Sequence, residues 1–133
     1  MEVTRRYRFC ASHRLHSPQL PAEVNQQIYG KCNNSYGHGH NYEIEVTVSG
    51  PVNPQTGRVA DLETLDRLVQ ERVIEIFDHR NLNEEVTYFQ KLVPTTENLC
   101  IIIDRELRDA WPAVFPALKR VSIWETARNI FVI

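Results

Sequence analysis

Three histidines, one cysteine and a few acidic groups carry the chemistry this chain could do. His38 and His40 are separated by a single glycine, and His13 lies well upstream. Cys32 precedes His38 by six positions. Asp78 and His79 are adjacent, and Glu125 stands near the C-terminal end. Neutral imidazole is the commonest metal ligand among side chains. Three imidazoles on one zinc ion leave a fourth position open for water or substrate, whereas structural zinc sites are usually closed by four protein ligands.

Two strands must position the histidines. From about Val3 to Leu15, Tyr7, Phe9, Ala11, His13 and Leu15 alternate with Arg6, Arg8, Cys10, Ser12 and Arg14. From His38 to Ser49, His38, His40, Tyr42, Ile44, Val46 and Val48 share one face. Period-two alternation marks strands with one buried face. Antiparallel pairing sets the end of the first strand beside the start of the second. His13, His38 and His40 then converge at one end of the buried face and are the expected metal ligands. His38 and His40 are roughly 7 Å apart along the backbone, a gap inward-reaching rings can close. Gly39 removes a side chain from the opposite face.

The segment from His16 to Gly37 reads as a long loop, and such loops inside compact domains tend to be functional. It must bring Cys32 back toward the histidines. A nearby cation, Lys31 or a metal, would lower the thiol's pKa and free it to act as a base or nucleophile. The same cysteine could instead be a buried small apolar residue or a fourth ligand that closes the site. Asp78 and His79 could polarise one another for acid–base work, or His79 and Arg80 could simply complement a helix C-terminus. Glu125 continues the apolar face of Val121 and Ile123, so it needs a partner. A ligand with two N–H donors would satisfy it, and so would Arg128. Thr95, Thr96 and Glu97 open a helix and serve either as its cap or as ligand contacts.

The remaining elements follow from periodicity. A helix starts near Asp61 and buries Leu62, Leu65, Val69, Val73 and Ile76. A second starts near Thr95 or Thr96, buries Leu99, Ile102, Ile103, Leu107 and Ala110, and stops by Trp111-Pro112. Leu118 to Glu125 and about Arg128 to Ile133 read as the last strands. The expected fold is α+β, a four-stranded antiparallel sheet with two helices packed on one face, as a single domain over residues 1–133. The exposed edges of so small a sheet invite pairing with other copies of the chain.

The chain has 133 residues, 42% of them apolar and 24% charged, enough apolar material for a core. A formal net charge of -2 gives no electrostatic argument for nucleic acid or an anionic membrane. No apolar run approaches the roughly 18 residues of a membrane span. None follows Met1 that reads as a signal peptide, so the expected compartment is cytoplasmic. Cys10, Cys32 and Cys100 are an odd set and read as free thiols.

These residues sit in runs that resemble the 6-pyruvoyl-tetrahydropterin synthase family. The runs are Phe9-Cys10-Ala11-Ser12-His13-Arg14-Leu15, Gly30 through Tyr42 with its Cys-x5-His-x-His element, Asp78-His79-Arg80-Asn81-Leu82, Thr95-Thr96-Glu97-Asn98 and Trp124-Glu125-Thr126. The resemblance covers nearly the whole chain in order. It implies the tunnelling fold, with sheets joined edge to edge into trimers that stack as hexamers (a dimer of trimers), and active sites between subunits. It implies a zinc-dependent carbon–oxygen lyase of the tetrahydrobiopterin pathway. The enzyme would convert 7,8-dihydroneopterin triphosphate into 6-pyruvoyl-tetrahydropterin with elimination of triphosphate. By the match, His13, His38 and His40 hold Zn(2+), Cys32 is the base, and Asp78 and His79 complete a proton relay from a neighbouring subunit. Glu125 anchors the pterin, with Thr95, Thr96 and Glu97 near it. Cys10 stands where many relatives have serine, and Lys31, Arg14 and Arg80 are candidates for the triphosphate. Relatives that make 6-carboxy-5,6,7,8-tetrahydropterin for queuosine tend to carry the cysteine closer to His-x-His, so the longer offset favours the pyruvoyl product. A non-catalytic zinc- or pterin-binding protein is the remaining alternative.

Overall fold

The computed structural model describes residues 1–133. Strand β1 (Glu2–His13) pairs antiparallel with β2 (His38–Ser49) along its whole length. The register sets His13 opposite His38, Ala11 opposite His40 and Phe9 opposite Tyr42. Between them lies helix α1 (Ala22–Tyr29), followed by a 3-10 turn, Gly30–Asn33. Helix α2 (Leu62–Val69) runs on through a wider π turn, Gln70–Ile74, to Phe77. A two-residue strand β3 (Arg80–Asn81) and a one-turn helix α3 (Leu82–Glu85) come next. Helix α4 (Thr96–Asp109), strand β4 (Ala117–Trp124) and strand β5 (Ile130–Val132) complete the chain.

The sheet has five strands in the order β3-β1-β2-β4-β5. This corrects the expected four-stranded antiparallel sheet, because β3 lies parallel to β1 and makes the sheet mixed. The backbone leaving α2 docks on β1: the Cys10 N–H donates to Asp78, and the His79 N–H donates to the Cys10 carbonyl at 2.6 Å. Two residues are too few to show a period in sequence.

The core lies between the sheet and α2 and α4. Phe9, Tyr42, Ile44, Val46, Val48, Val121 and Ile123 come from the strands. Leu65, Val69, Val73 and Phe77 come from α2 and its extension, and Leu99, Ile103 and Leu107 from α4. Phe77, rather than the expected Ile76, is fully buried. The π turn is the reason. It widens the helix locally, so residues four apart stay in line from Val69 through Val73 to Phe77.

The caps fall where the sequence predicts them. Asp61 caps α2 by accepting from the Glu63 N–H, and Thr95 caps α4 by accepting from the Asn98 N–H. Helix α1 was not foreseen, because its inward residue is Asn25 rather than an apolar one. The Asn25 amide nitrogen donates to the carbonyls of Ser17, Leu20 and Pro21, and its oxygen accepts from the Ser17 N–H. A helix docked by one amide has no apolar stripe to read. No helix is long and apolar enough to cross a membrane.

Candidate active site

The antiparallel register delivers the three histidines to one point. His13 ends β1 and is 1% exposed, while His38 and His40 open β2 and are half-buried. The His13 and His38 Nε2 atoms lie 3.2 Å apart, and those of His38 and His40 2.8 Å apart. All three ligand atoms fall within 4.8 Å of one another. Two nitrogens sharing one tetrahedral ion at 2.0–2.1 Å would sit about 3.3 Å apart. The His13 Nδ1 proton is donated to the Pro94 carbonyl at 2.8 Å. A carbonyl can only accept, so the neutral ring presents its Nε2 lone pair to the cluster. Burial pushes the His13 pKa down to about 4 and lowers that of His40, which keeps these rings neutral. Convergent lone pairs on neutral imidazoles are the donor set a zinc ion takes, and this cluster could hold one.

Gly37 makes the convergence sterically feasible. Its φ is +69°, and a Cβ there would meet the His13 carbonyl oxygen at 2.6 Å. The backbone of β2 therefore enters flush against the histidine-bearing end of β1. Gly39, singled out from sequence, is less constrained, since a Cβ there would make only an ordinary 3.8 Å contact with Ala11.

Glu125 follows β4 at the same end of the sheet. Its Oε1 accepts from the Thr96 hydroxyl at 2.6 Å and lies 3.8 Å from the His40 Nε2. Arg128 is exposed and forms no ion pair with it, so a buried hydroxyl takes the place of the salt bridge the sequence allowed. Thr96 is 3% exposed and is spent on Glu125. Thr95 caps α4, and Glu97 is exposed without a bond to the site.

Cys32 is half-buried in the 3-10 turn and is not one of the convergent ligand atoms. Its pKa is raised, first by burial and then by the Glu125 carboxylate. Lys31 does not offset this, contrary to the sequence expectation. A bound dication is what would pull the thiol back toward thiolate.

Asp78 and His79 are not joined to the cluster within this chain. Asp78 accepts from the Cys10 N–H, and its other oxygen meets the His79 Nδ1 at 2.9 Å. The bond from Cys10 is the leading reason the Asp78 pKa is lowered. His79 is largely exposed and adopts φ +56°, a left-handed backbone rare outside glycine. A cavity of about 700 Å³ opens beside His13, lined among others by Arg14, His16, Tyr36, Asn83, Lys91 and Thr95. Of the three basic residues proposed from sequence, Arg14 lines it, whereas Arg80 pairs with Glu85 and Lys31 is exposed. Lys91 and His16 were not foreseen, because nothing in their spacing links them to the strand ends.

A family model described as 6-pyruvoyl tetrahydropterin synthase matches residues 2–133. The chain belongs to the 6-pyruvoyl tetrahydropterin synthase family. It is similar to the 6-pyruvoyl tetrahydrobiopterin synthase of Poecilia reticulata, 47% identical over 130 residues, covering 98% of this chain and 87% of that protein. The Homo sapiens protein of the same name is 44% identical over 131 residues, covering 98% and 89%. The solved structure of Caenorhabditis elegans 6-pyruvoyl tetrahydropterin synthase superposes with a TM-score of 0.92 at 41% identity, covering 100% of this chain and 94% of that one. The α+β fold is thus that of the synthase family.

Proposed function

We propose that this synthase family member is a zinc-dependent lyase that converts 7,8-dihydroneopterin triphosphate into 6-pyruvoyl-tetrahydropterin with loss of triphosphate. The observation that carries the reading is the convergence of three imidazole Nε2 atoms beside a carboxylate whose charge also acts on the Cys32 thiol. Full-length similarity to proteins named for 6-pyruvoyl tetrahydrobiopterin synthesis supports the pyruvoyl product.

His13, His38 and His40 would hold the zinc, which supplies Lewis acidity toward the hydroxyls of the substrate side chain. Glu125, aimed by the Thr96 hydroxyl, binds the two N–H donors on the amino-pyrimidine edge of the pterin. Cys32 as thiolate removes a proton from the side-chain carbon. Asp78 holds His79 by its Nδ1, leaving Nε2 free to pass the proton on. That pair serves the site of a neighbouring subunit in a trimer or hexamer, since no bond ties it to the cluster of its own chain. Arg14 and Lys91, which line the cavity beside His13, would meet the triphosphate oxygens.

Incubating zinc-loaded protein with 7,8-dihydroneopterin triphosphate and identifying the products tests this. Release of triphosphate with 6-pyruvoyl-tetrahydropterin is expected. A 6-carboxy product would assign the chain to the queuosine-type activity instead, and no turnover would leave a zinc- or pterin-binding protein.

A further inference from the structure

The turn that carries Cys32 is held by the residue after it. Gly30–Asn33 is a four-residue 3-10 turn, and within it only Asn33 is buried, at 8% exposure. Turns of this kind have poor internal hydrogen-bond geometry and open at little cost unless something outside fixes them. Here the fixing is polar. The Asn33 amide nitrogen donates one proton to the Leu15 carbonyl at 2.8 Å and the other to the His16 Nδ1 at 3.0 Å. Both of its protons are therefore used. The Asn33 carbonyl accepts from the Arg14 Nε at 3.1 Å. The Leu15 N–H in turn donates to the Cys32 carbonyl at 2.8 Å. Both backbone groups of Leu15 are thus taken by Cys32 and Asn33.

Leu15 lies two residues beyond His13, on the same chain end that presents the metal-facing ring. The opposite flank is pinned separately. Asn83, in the first turn of α3, accepts from the Arg14 N–H at 2.8 Å and donates to the Arg14 carbonyl at 2.9 Å. Two asparagine side chains therefore continue the strand ladder past the point where β1 ends. One ties it to α3, and the other ties it to the thiol-bearing turn.

We propose that Asn33 is a positioning residue, setting where the Cys32 thiol sits relative to the metal-facing end of β1. The proposal rests on the function argued above for Cys32. Positional errors on the scale of 1 Å cost about a hundredfold in rate. An unpinned turn, by contrast, removes no ligand and no pterin contact.

Asn33→Ala and Asn33→Asp test it, the second keeping the size of the side chain but removing the donor to Leu15. In both, zinc stoichiometry and KM for dihydroneopterin triphosphate should stay within about twofold of the wild type, while kcat falls roughly 10- to 100-fold. Site-resolved iodoacetamide labelling of metal-free protein gives a readout independent of turnover. The Cys32 labelling rate should rise several-fold in both variants, with exposed Cys10 as the unchanged internal reference. Asn83→Ala loosens the strand end without touching the turn and should leave Cys32 labelling unchanged. Wild-type kcat together with wild-type Cys32 labelling would overturn the proposal. Loss of folding or of zinc in both variants would also overturn it, because the amide would then serve the fold rather than the thiol. A wild-type protein that does not turn over the substrate sinks the functional reading alone, and the labelling arm still decides on Asn33.

Discussion

At the scale of single residues, the site depends on small steric and polar choices more than on its ligands alone. Gly37 is the clearest case. A side chain at φ +69° that also collides with the His13 carbonyl must push β1 and β2 apart at the one point where their rings meet. Gly37→Ala is therefore expected to cost on the order of 2 kcal/mol in denaturant unfolding and to weaken zinc binding more than tenfold by competition with a chelator. Thr96 is the polar counterpart. Removing its hydroxyl leaves Glu125 without its 2.6 Å donor while keeping the helix cap at Thr95. Thr96→Val should raise KM about tenfold with a smaller change in kcat, measured by steady-state turnover. The three histidines were legible in the sequence because strand alternation put them on faces that also carry Phe9, Tyr42 and Ile44. Thr96 was legible only as a helix-opening residue. Its bond to Glu125 joins positions 29 apart in the chain, and no local pattern encodes that separation.

At the scale of elements, α2 is locked to β1 by a polar junction as well as by the core. The Arg5 guanidinium holds Asp66 through two bonds, at 2.6 and 2.7 Å, and the Tyr7 hydroxyl adds a third. These bonds, Arg5 foremost, lower the Asp66 pKa from its usual value near 3.8. The folded chain then releases this proton more readily than the unfolded one. Its contribution is full above the ordinary carboxylate pKa and fades as pH falls through the lowered one. Because both partners are over a third exposed, solvent screening keeps this contribution small. Asp66→Asn should flatten this part of the acid limb of stability between about pH 5 and 2, read from urea unfolding midpoints across that range. The long strands and the two long helices were readable from periodicity and caps. Helix α1 and strand β3 were not, because one is docked by the Asn25 amide and the other is two residues long.

At the scale of the whole molecule, the proposed sharing of the site between subunits would use the open edges of the sheet. The sheet ends in a two-residue strand on one side and a three-residue strand on the other, with Ile130, Val132 and Ile133 exposed. The Asp78–His79 pair is built on the β3 edge, without a bond to the cluster of His13, His38 and His40. If a neighbour completes each site, two different defects can compensate. Mixed oligomers of Cys32→Ala and His79→Ala, each inactive alone, should recover part of the activity after co-refolding, whereas a site contained in one chain would recover none.

The zinc coordination shell is the most direct test. X-ray absorption at the zinc edge of the loaded protein should give three nitrogen scatterers from His13, His38 and His40 at about 2.0–2.1 Å. The fourth position should hold a light non-protein atom. A sulfur at about 2.3 Å, abolished by Cys32→Ala, would mean that the thiol closes the metal site and cannot serve as the base.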